Sequence, residues 1–191
     1  MSENHRKQAS MSNHELAQSL LTEFFLSEGF RKNGKHWYKK FNDTFLVFQY
    51  QRSMYGAKFF LNCGIYYNKI KPVVKGFPKL NDCHVNAQNY SLIYNIRNPN
   101  FTPEERRILG DVFDPMFRVD GEDSTINKNI HSLIVILQQE VIPFLEKHTD
   151  IPYLATIYPD QYNWRALPDV RGIFKRLTDE YKETTSTGVM V

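Results

Sequence analysis

The sequence predicts an α+β fold: an N-terminal helix packed on one face of an antiparallel meander sheet of three to four strands, followed by a mainly helical C-terminal half. Three observations support this fold class. Apolar residues recur at helical spacing over residues 16–25, they alternate with polar residues over 35–67, and they return to helical spacing from residue 126 onward.

The first helix is predicted to begin after Ser12. Ser12 and Glu15 stand three positions apart, as in a capping box, and Gly29 supplies the residue type that most often ends a helix. One helical face is apolar, and it carries Leu16, Leu20, Leu21, Phe24 and Phe25.

Three strands are predicted next, over residues 35–41, 44–52 and 57–67, because these segments are rich in aromatic and β-branched residues. The dipeptides Asn42-Asp43 and Tyr55-Gly56 are suited to two-residue turns. With those turns, Phe41 lies opposite Thr44 and Met54 lies opposite Ala57. This register decides which side chains share a face.

The register gives the sheet an apolar face and a mixed face. The apolar face is the predicted core, and it collects Trp37, Leu46, Phe48, Tyr50, Phe59, Leu61, Cys63 and Ile65. The mixed face combines Tyr38, Phe45, Val47 and Phe60 with the polar residues His36, Gln49, Gln51, Ser53 and Asn62.

The second half is predicted to contain a basic loop over 68–81, a fourth strand over 90–96 and a short helix over 102–110. A longer helix distorted by Pro143 and a last helix from Pro168 follow. The long helix has an apolar stripe of Ile126, Ile130, Leu133, Ile134, Leu137, Val141 and Leu145. We therefore expect a flexible leader over 1–11, a single α+β domain over 12–182 and a flexible tail over 183–191.

Composition excludes several classes of protein. The chain has 191 residues and a net charge of +3, with 14 Phe and 11 Tyr, which suits a globular domain and gives no strong signal for a nucleic-acid partner. No apolar run is long enough for a membrane helix, and the polar N-terminus lacks the apolar segment of a signal peptide. We expect a cytoplasmic protein, a monomer or homodimer, with Cys63 and Cys83 reduced.

The predicted register places His36 opposite Gln49, and Gln49 opposite Asn62. Such a row, with Gln51 and Ser53 beside it, has two interpretations. Amides and a neutral imidazole can each donate and accept hydrogen bonds, and so could bind a polar ligand or a protein partner. The more ordinary interpretation is an internal hydrogen-bond network. We take His36, Gln49, Gln51, Ser53 and Asn62 as the candidate binding residues.

Catalytic and metal-binding motifs are weak. Cys83-His84 could pair a nucleophile with a base, but neighbours on a strand point apart, and a small buried cysteine is the commoner case. The histidines lack metal-ligand spacing, and no glycine-rich phosphate loop is present, so no metal or cofactor is predicted. Lysines interleaved with aromatics over 66–79, and acidic residues over 111–123, fit solvated loops. A non-enzymatic binding module is therefore favoured over a small enzyme that acts on a polar or anionic small molecule with His36 or His84 as a base.

Several short motifs together resemble a known family. They are Glu28-Gly29-Phe30, Gln49-x-Gln51-x-Ser53 before Tyr55-Gly56, Phe60-Leu61-Asn62-x-Gly64, and Cys83-His84. Over residues 16–96 the chain resembles the bacterial domain-of-unknown-function family numbered forty-three zero four. That family tends to place an arginine just after Cys-His. This chain instead continues with residues 85–89, Val-Asn-Ala-Gln-Asn, so no role of that arginine carries over.

The resemblance implies a fold and a bacterial, cytoplasmic setting, and it brings no established activity. By analogy, small domains of this kind suggest an immunity or defence-associated protein.

Overall fold

The computed structural model describes residues 11–73, 75–88 and 114–150, together with residues 152–153, 165–166, 175–176, 179–183 and 186. The first helix, α1, spans Asn13–Ser27. The strands are β1 (Arg31–Asn33), β2 (His36–Phe41), β3 (Thr44–Arg52), β4 (Phe59–Tyr67), β5 (Val85–Gln88) and β6 (Arg165–Ala166). Helix α2 spans Asp123–Ile136 and helix α3 spans Ile142–Lys147.

The strands form one six-stranded sheet in the order β1-β2-β3-β4-β5-β6. Every described pair of neighbours is antiparallel, as a meander requires. The prediction of three to four strands was too low, because β1 and β6 have only three and two residues and leave little sequence periodicity. The fold class itself, α+β with an N-terminal helix on the sheet, is confirmed.

Helix α1 begins as the capping box predicts. The Ser12 hydroxyl accepts a hydrogen bond from the Glu15 backbone N–H, and the Glu15 carboxylate accepts one from the Ser12 backbone N–H at 2.8 Å. Gly29 follows the helix with a φ of +81°, a left-handed conformation that glycine adopts without strain.

The apolar face of α1 packs on the predicted core face of the sheet. The Phe25 ring lies 4.8 Å from the Trp37 ring and 4.7 Å from the Phe48 ring, measured between centroids. All eight residues predicted for that face belong to the main buried cluster, in which Leu21 and Phe25 of the helix also lie.

The long helix contains a distortion before its proline. One π-helical turn spans Leu137–Val141 and separates α2 from α3, where Pro143 occupies the first turn. A proline has no N–H to donate to the preceding turn, so the regular α-helical hydrogen bonding is interrupted just before it. The buried stripe continues across this break from Ile126 to Leu145.

The fourth strand predicted over 90–96 and the helix predicted over 102–110 lie outside the described residues, as do residues 1–10 and the start of the last predicted helix. Residues 175–176, 179–183 and 186 are helical, and Glu183 and Ser186 among them fall in the segment predicted as a tail. Within the described parts of the chain, no helix has both the length and the apolar character needed to cross a membrane.

Candidate functional site

The sheet brings four of the five candidate residues together. His36 of β2 pairs with Gln49 of β3, which pairs in turn with Asn62 of β4. Directly paired residues project from the same face of a sheet, so these side chains form the predicted row, and Gln51 follows two positions after Gln49 on the same face. We call His36, Gln49, Gln51 and Asn62 the polar row.

Hydrogen bonds run along the polar row. Gln49 Nε2 lies 3.0 Å from His36 Nε2, and Asn62 Nδ2 donates to Gln51 Oε1 at 2.8 Å and to Gln49 Oε1 at 3.4 Å. Because the Gln49 amide nitrogen is a donor, His36 Nε2 accepts, and the imidazole carries its proton on Nδ1. The Asn62 side-chain N–H groups are therefore already used within the row.

The side-chain oxygen of Asn62, unlike the side-chain nitrogen, makes no hydrogen bond. The side chain is 6% exposed, and its Oδ1 atom is buried without a hydrogen-bond partner. Among the residues that the structure describes, the Trp37 Nε1 atom is the only other buried side-chain N or O atom in this condition. A buried carbonyl oxygen that accepts no hydrogen bond costs about 1–3 kcal/mol, so Asn62 Oδ1 is an unused acceptor held at a cost to stability.

The His36 end of the polar row favours a neutral imidazole. Burial lowers the pKa of His36 below its usual value, and the nearby Lys35 and Lys79 lower it further against a smaller opposing effect of Asp82. His36 is 9% exposed. At neutral pH the row is therefore an uncharged set of amides and imidazole.

Another part of the mixed face is covered by the chain itself. The segment over 68–83 folds back on the sheet, where Val73, Leu80 and Cys83 join the second buried cluster with Tyr38, Phe45, Val47 and Tyr66. The ring of Phe77 stacks on Tyr38 with centroids 4.2 Å apart.

Gly64 lets this segment approach the sheet closely. A Cβ atom at Gly64 would lie 2.8 Å from both the Cβ and the Sγ atoms of Cys83, which is too close for any side chain. Gly64 follows Asn62 on the same face of β4, so the cover ends beside the polar row.

The β3–β4 turn separates Ser53 from the polar row. The Ser53 hydroxyl accepts a hydrogen bond from the Tyr55 backbone N–H at 3.0 Å, so this side chain stabilises the turn. The predicted pairing of Met54 with Ala57 is not formed, because the ladder ends at the Arg52–Phe59 pair. The loop is held instead by the Ser53 N–H donating to the Lys58 carbonyl and the Val119 N–H donating to the Ala57 carbonyl.

An exposed aromatic ring lies at the Gln51 end of the polar row, where the Gln51 side chain is also exposed. Phe60 pairs with Gln51 and remains 37% exposed, whereas the flanking Phe59 and Leu61 are buried in the core. A ligand that contacts Gln51 therefore also reaches an aromatic ring.

The side chains of the Cys83-His84 dipeptide are both buried in the fold. Burial raises the pKa of the Cys83 thiol well above its usual value, which disfavours the reactive thiolate. His84 is 7% exposed, and its Nδ1 atom accepts a hydrogen bond from the Tyr67 backbone N–H at 3.0 Å. Both Cys63 and Cys83 are buried, as predicted.

The lysine-rich segment over 66–79 and the acidic segment over 111–123 also have structural explanations where the structure describes them. Lys69, Lys71, Lys75 and Lys79 are exposed, but Tyr66 and Tyr67 are buried and Phe77 is stacked. Asp114 pairs with Lys58 at 2.8 Å. In the part of the chain that the structure describes, no three His, Cys, Asp or Glu side chains are grouped as metal ligands.

Sequence reasoning missed two strand pairings beside the row. Asn33 of β1 pairs with His36, and Gln88 of β5 pairs with Asn62. The short β1 gave no periodic signal, and β5 lies before the segment where a fourth strand was expected. The glycine in the Asn62-x-Gly64 motif was the available signal that another part of the chain comes close to β4.

The comparisons with known proteins identify the family. The model of DUF4304, a domain of unknown function, matches residues 21–147, which include the sheet from β1 to β5 and the helices α2 and α3. The chain belongs to this family. The match extends beyond the 16–96 segment that carried the resemblance. No curated protein and no solved structure matches the chain significantly.

Proposed function

We propose that this DUF4304 chain is a non-enzymatic binding protein whose ligand contacts the polar row. The observation that carries the proposal is Asn62 Oδ1, a buried acceptor without a partner beside amides that are hydrogen-bonded to one another. In native proteins the large majority of buried side-chain polar atoms have a hydrogen-bond partner, so an unpaired one requires an explanation. A ligand N–H or O–H donor at this atom would recover the cost of leaving it unpaired.

Binding is favoured over catalysis because the candidate bases and the candidate nucleophile are engaged elsewhere. His36 accepts a hydrogen bond from Gln49 through Nε2, and His84 accepts one from the Tyr67 backbone through Nδ1. A general base needs a free nitrogen within reach of the proton it removes. Burial of the Cys83 thiol argues against covalent chemistry in the same way.

The family resemblance adds a proposal about setting. A bacterial, cytoplasmic protein with an immunity or defence-associated role agrees with a binding module that recognises a protein partner or a small polar ligand. That role depends on analogy between families and is separate from the argument for the polar row.

Native mass spectrometry of the chain purified gently from its own host tests the proposal. Three preparations are compared: the natural chain, Asn62→Leu, which removes the acceptor at similar volume, and Gln139→Leu, an exposed position on the π-helical turn. We expect a retained small molecule or partner on the natural chain and on Gln139→Leu, and its loss from Asn62→Leu. An added mass that survives in Asn62→Leu contradicts the site, and a bare chain in all three preparations contradicts the proposal.

A further inference from the structure

The class of ligand can be inferred from the hydrogen-bonding groups of Asn62 and Gln51 in the polar row. Two groups of neighbouring side chains have hydrogen-bonding capacity left: the Oδ1 acceptor of Asn62, and the N–H₂ group of the exposed Gln51, whose Oε1 atom already accepts from Asn62. Because Asn62 Oδ1 is buried, a ligand reaches it only after a side chain that covers it moves. An acceptor beside a donor is matched by a ligand with a donor beside an acceptor. An amide group, with its N–H next to its C=O, has this arrangement.

The charges around the row disfavour ionised ligands. A bare anion has no hydrogen to donate to Asn62 Oδ1 and would leave that acceptor unpaired. A cation would find only amides and an imidazole in the row, and the charges of Lys35 and Lys79 act on His36 more strongly than the opposite charge of Asp82 does. A charge buried here would have no opposite charge in the row to compensate for its lost hydration.

The aromatic ring beside Gln51 adds a preference for a planar group. Phe60 lies opposite Gln51 in the β3–β4 ladder and keeps 37% of its surface exposed. The flat face of an amide, or of a ring that carries one, can pack on such a ring while its edge is bonded by the row.

We infer that the polar row binds an uncharged, planar amide, which donates its N–H to Asn62 Oδ1, accepts from the Gln51 amide and packs on Phe60. The inference depends on the proposed function, since it names the ligand class of the same site. The amide can come from a small molecule or from the backbone of a peptide.

The test uses three probes of similar shape: benzamide, benzoate and benzylamine, which are neutral, anionic and cationic at neutral pH. A tripeptide of alanine with both ends capped supplies a peptide amide. Each is titrated into the full ¹⁵N-labelled chain while the side-chain N–H₂ resonances of Asn62, Gln49 and Gln51 are followed. We expect benzamide, the capped peptide or both to shift these resonances, with benzoate and benzylamine at least about tenfold weaker.

Two variants assign the response to the row. Gln51→Met removes the donor at an exposed position and should weaken benzamide binding several-fold, whereas Gln139→Leu should leave it unchanged. The stronger of benzamide and the capped peptide indicates the source of the amide. Tighter binding of benzoate or benzylamine at the row overturns the ligand class and leaves the proposed function standing. If no probe shifts the row while the host-derived ligand still depends on Asn62, this inference alone is wrong. If both fail, so does the proposed function.

Discussion

The two faces of the sheet are built from the same strands but are covered in different ways. The helix-covered face is closed by aromatic packing, with Trp37, Phe48 and Phe59 fully buried beneath α1 and its neighbours. Among the described residues, the 68–83 segment covers part of the opposite face, and the polar row lies beside that cover. One face serves the core, and the other combines a small second core with a row of polar side chains.

A buried polar atom without a partner has a different meaning on each face. Trp37 Nε1 lies inside a fully buried aromatic cluster, where the indole contributes a large apolar area that offsets one unpaired N–H. Asn62 contributes little apolar area and is surrounded by amides. The hydrogen bonds that its amide nitrogen donates are cancelled by the cost of the unpaired carbonyl, so Asn62 adds little net stability to the fold. This balance is why we assign that atom to a ligand.

The largest effect is expected from the helix-covered face. Phe25→Ala removes a ring that contacts Phe24, Phe30, Trp37 and Phe48, so the free energy of unfolding should fall by about 3–5 kcal/mol. Urea unfolding measures this change. The neighbouring Leu26, which is 52% exposed, is the control: Leu26→Ala should cost less than about 1 kcal/mol. Equal losses from the two variants would contradict a closed aromatic core on this side.

The covered part of the opposite face is tested by Gly64→Ala. The added Cβ would lie 2.8 Å from Cys83 Cβ and Sγ and 3.0 Å from the Val85 carbonyl oxygen, so the segment must shift or the strand must move. We expect a loss of about 1–3 kcal/mol in the free energy of unfolding.

A second substitution, which removes the Cys83 side chain from the Gly64→Ala variant, tests whether the close contact with Cys83 causes the loss of stability. Cys83→Gly should recover part of the stability lost in Gly64→Ala, because two of the three close contacts disappear. A Gly64→Ala variant that is as stable as the natural chain would show that the 68–83 segment does not depend on close contact with β4.

Much of this contrast between faces could be predicted from the sequence. The turns at Asn42-Asp43 and Tyr55-Gly56 were enough to place His36 opposite Gln49 and Gln49 opposite Asn62, because an antiparallel hairpin has one register for a given turn. The core face followed from the same alternation. These are local consequences of spacing, and they hold even though the β3–β4 turn is longer than predicted.

The cover over the second face could not be predicted. Residues 68–83 have no period, and their contacts with Tyr38 and Val47 depend on the path of a loop rather than on spacing. The unpaired Asn62 Oδ1 likewise depends on which neighbouring amide takes each hydrogen bond, which spacing alone does not decide. The strands β1 and β6 were missed because two or three residues are too few to establish a pattern.

A pH dependence with a smaller effect is expected from buried histidines. Burial lowers the pKa of His148 below its ordinary value of 6.5, so the unfolded chain binds a proton there at a higher pH than the folded chain does. The neutral side chain therefore supports stability above pH 6.5, and this contribution is lost as the pH falls through the lower folded value. His14 and His36 shift in the same direction.

Urea unfolding at about pH 7.5 and about pH 5 measures this dependence. The natural chain should be less stable at the lower pH, and His148→Gln should reduce the difference between the two conditions. His131→Gln, at an exposed position of α2, is the control and should leave the difference unchanged. A His148→Gln variant with the full pH dependence of the natural chain would exclude His148 as a contributor.

The smallest change in stability is the one expected at Asn62, and it tests the central claim most directly. Urea unfolding of Asn62→Leu compares a buried side chain that carries an unpaired carbonyl with an apolar side chain of similar volume. If Asn62 is kept for a ligand, the free energy of unfolding should change by less than about 1 kcal/mol, because the lost hydrogen bonds to Gln49 and Gln51 are offset by removal of the unpaired oxygen. A loss of more than about 2 kcal/mol would contradict the claim and make the polar row an internal part of the fold.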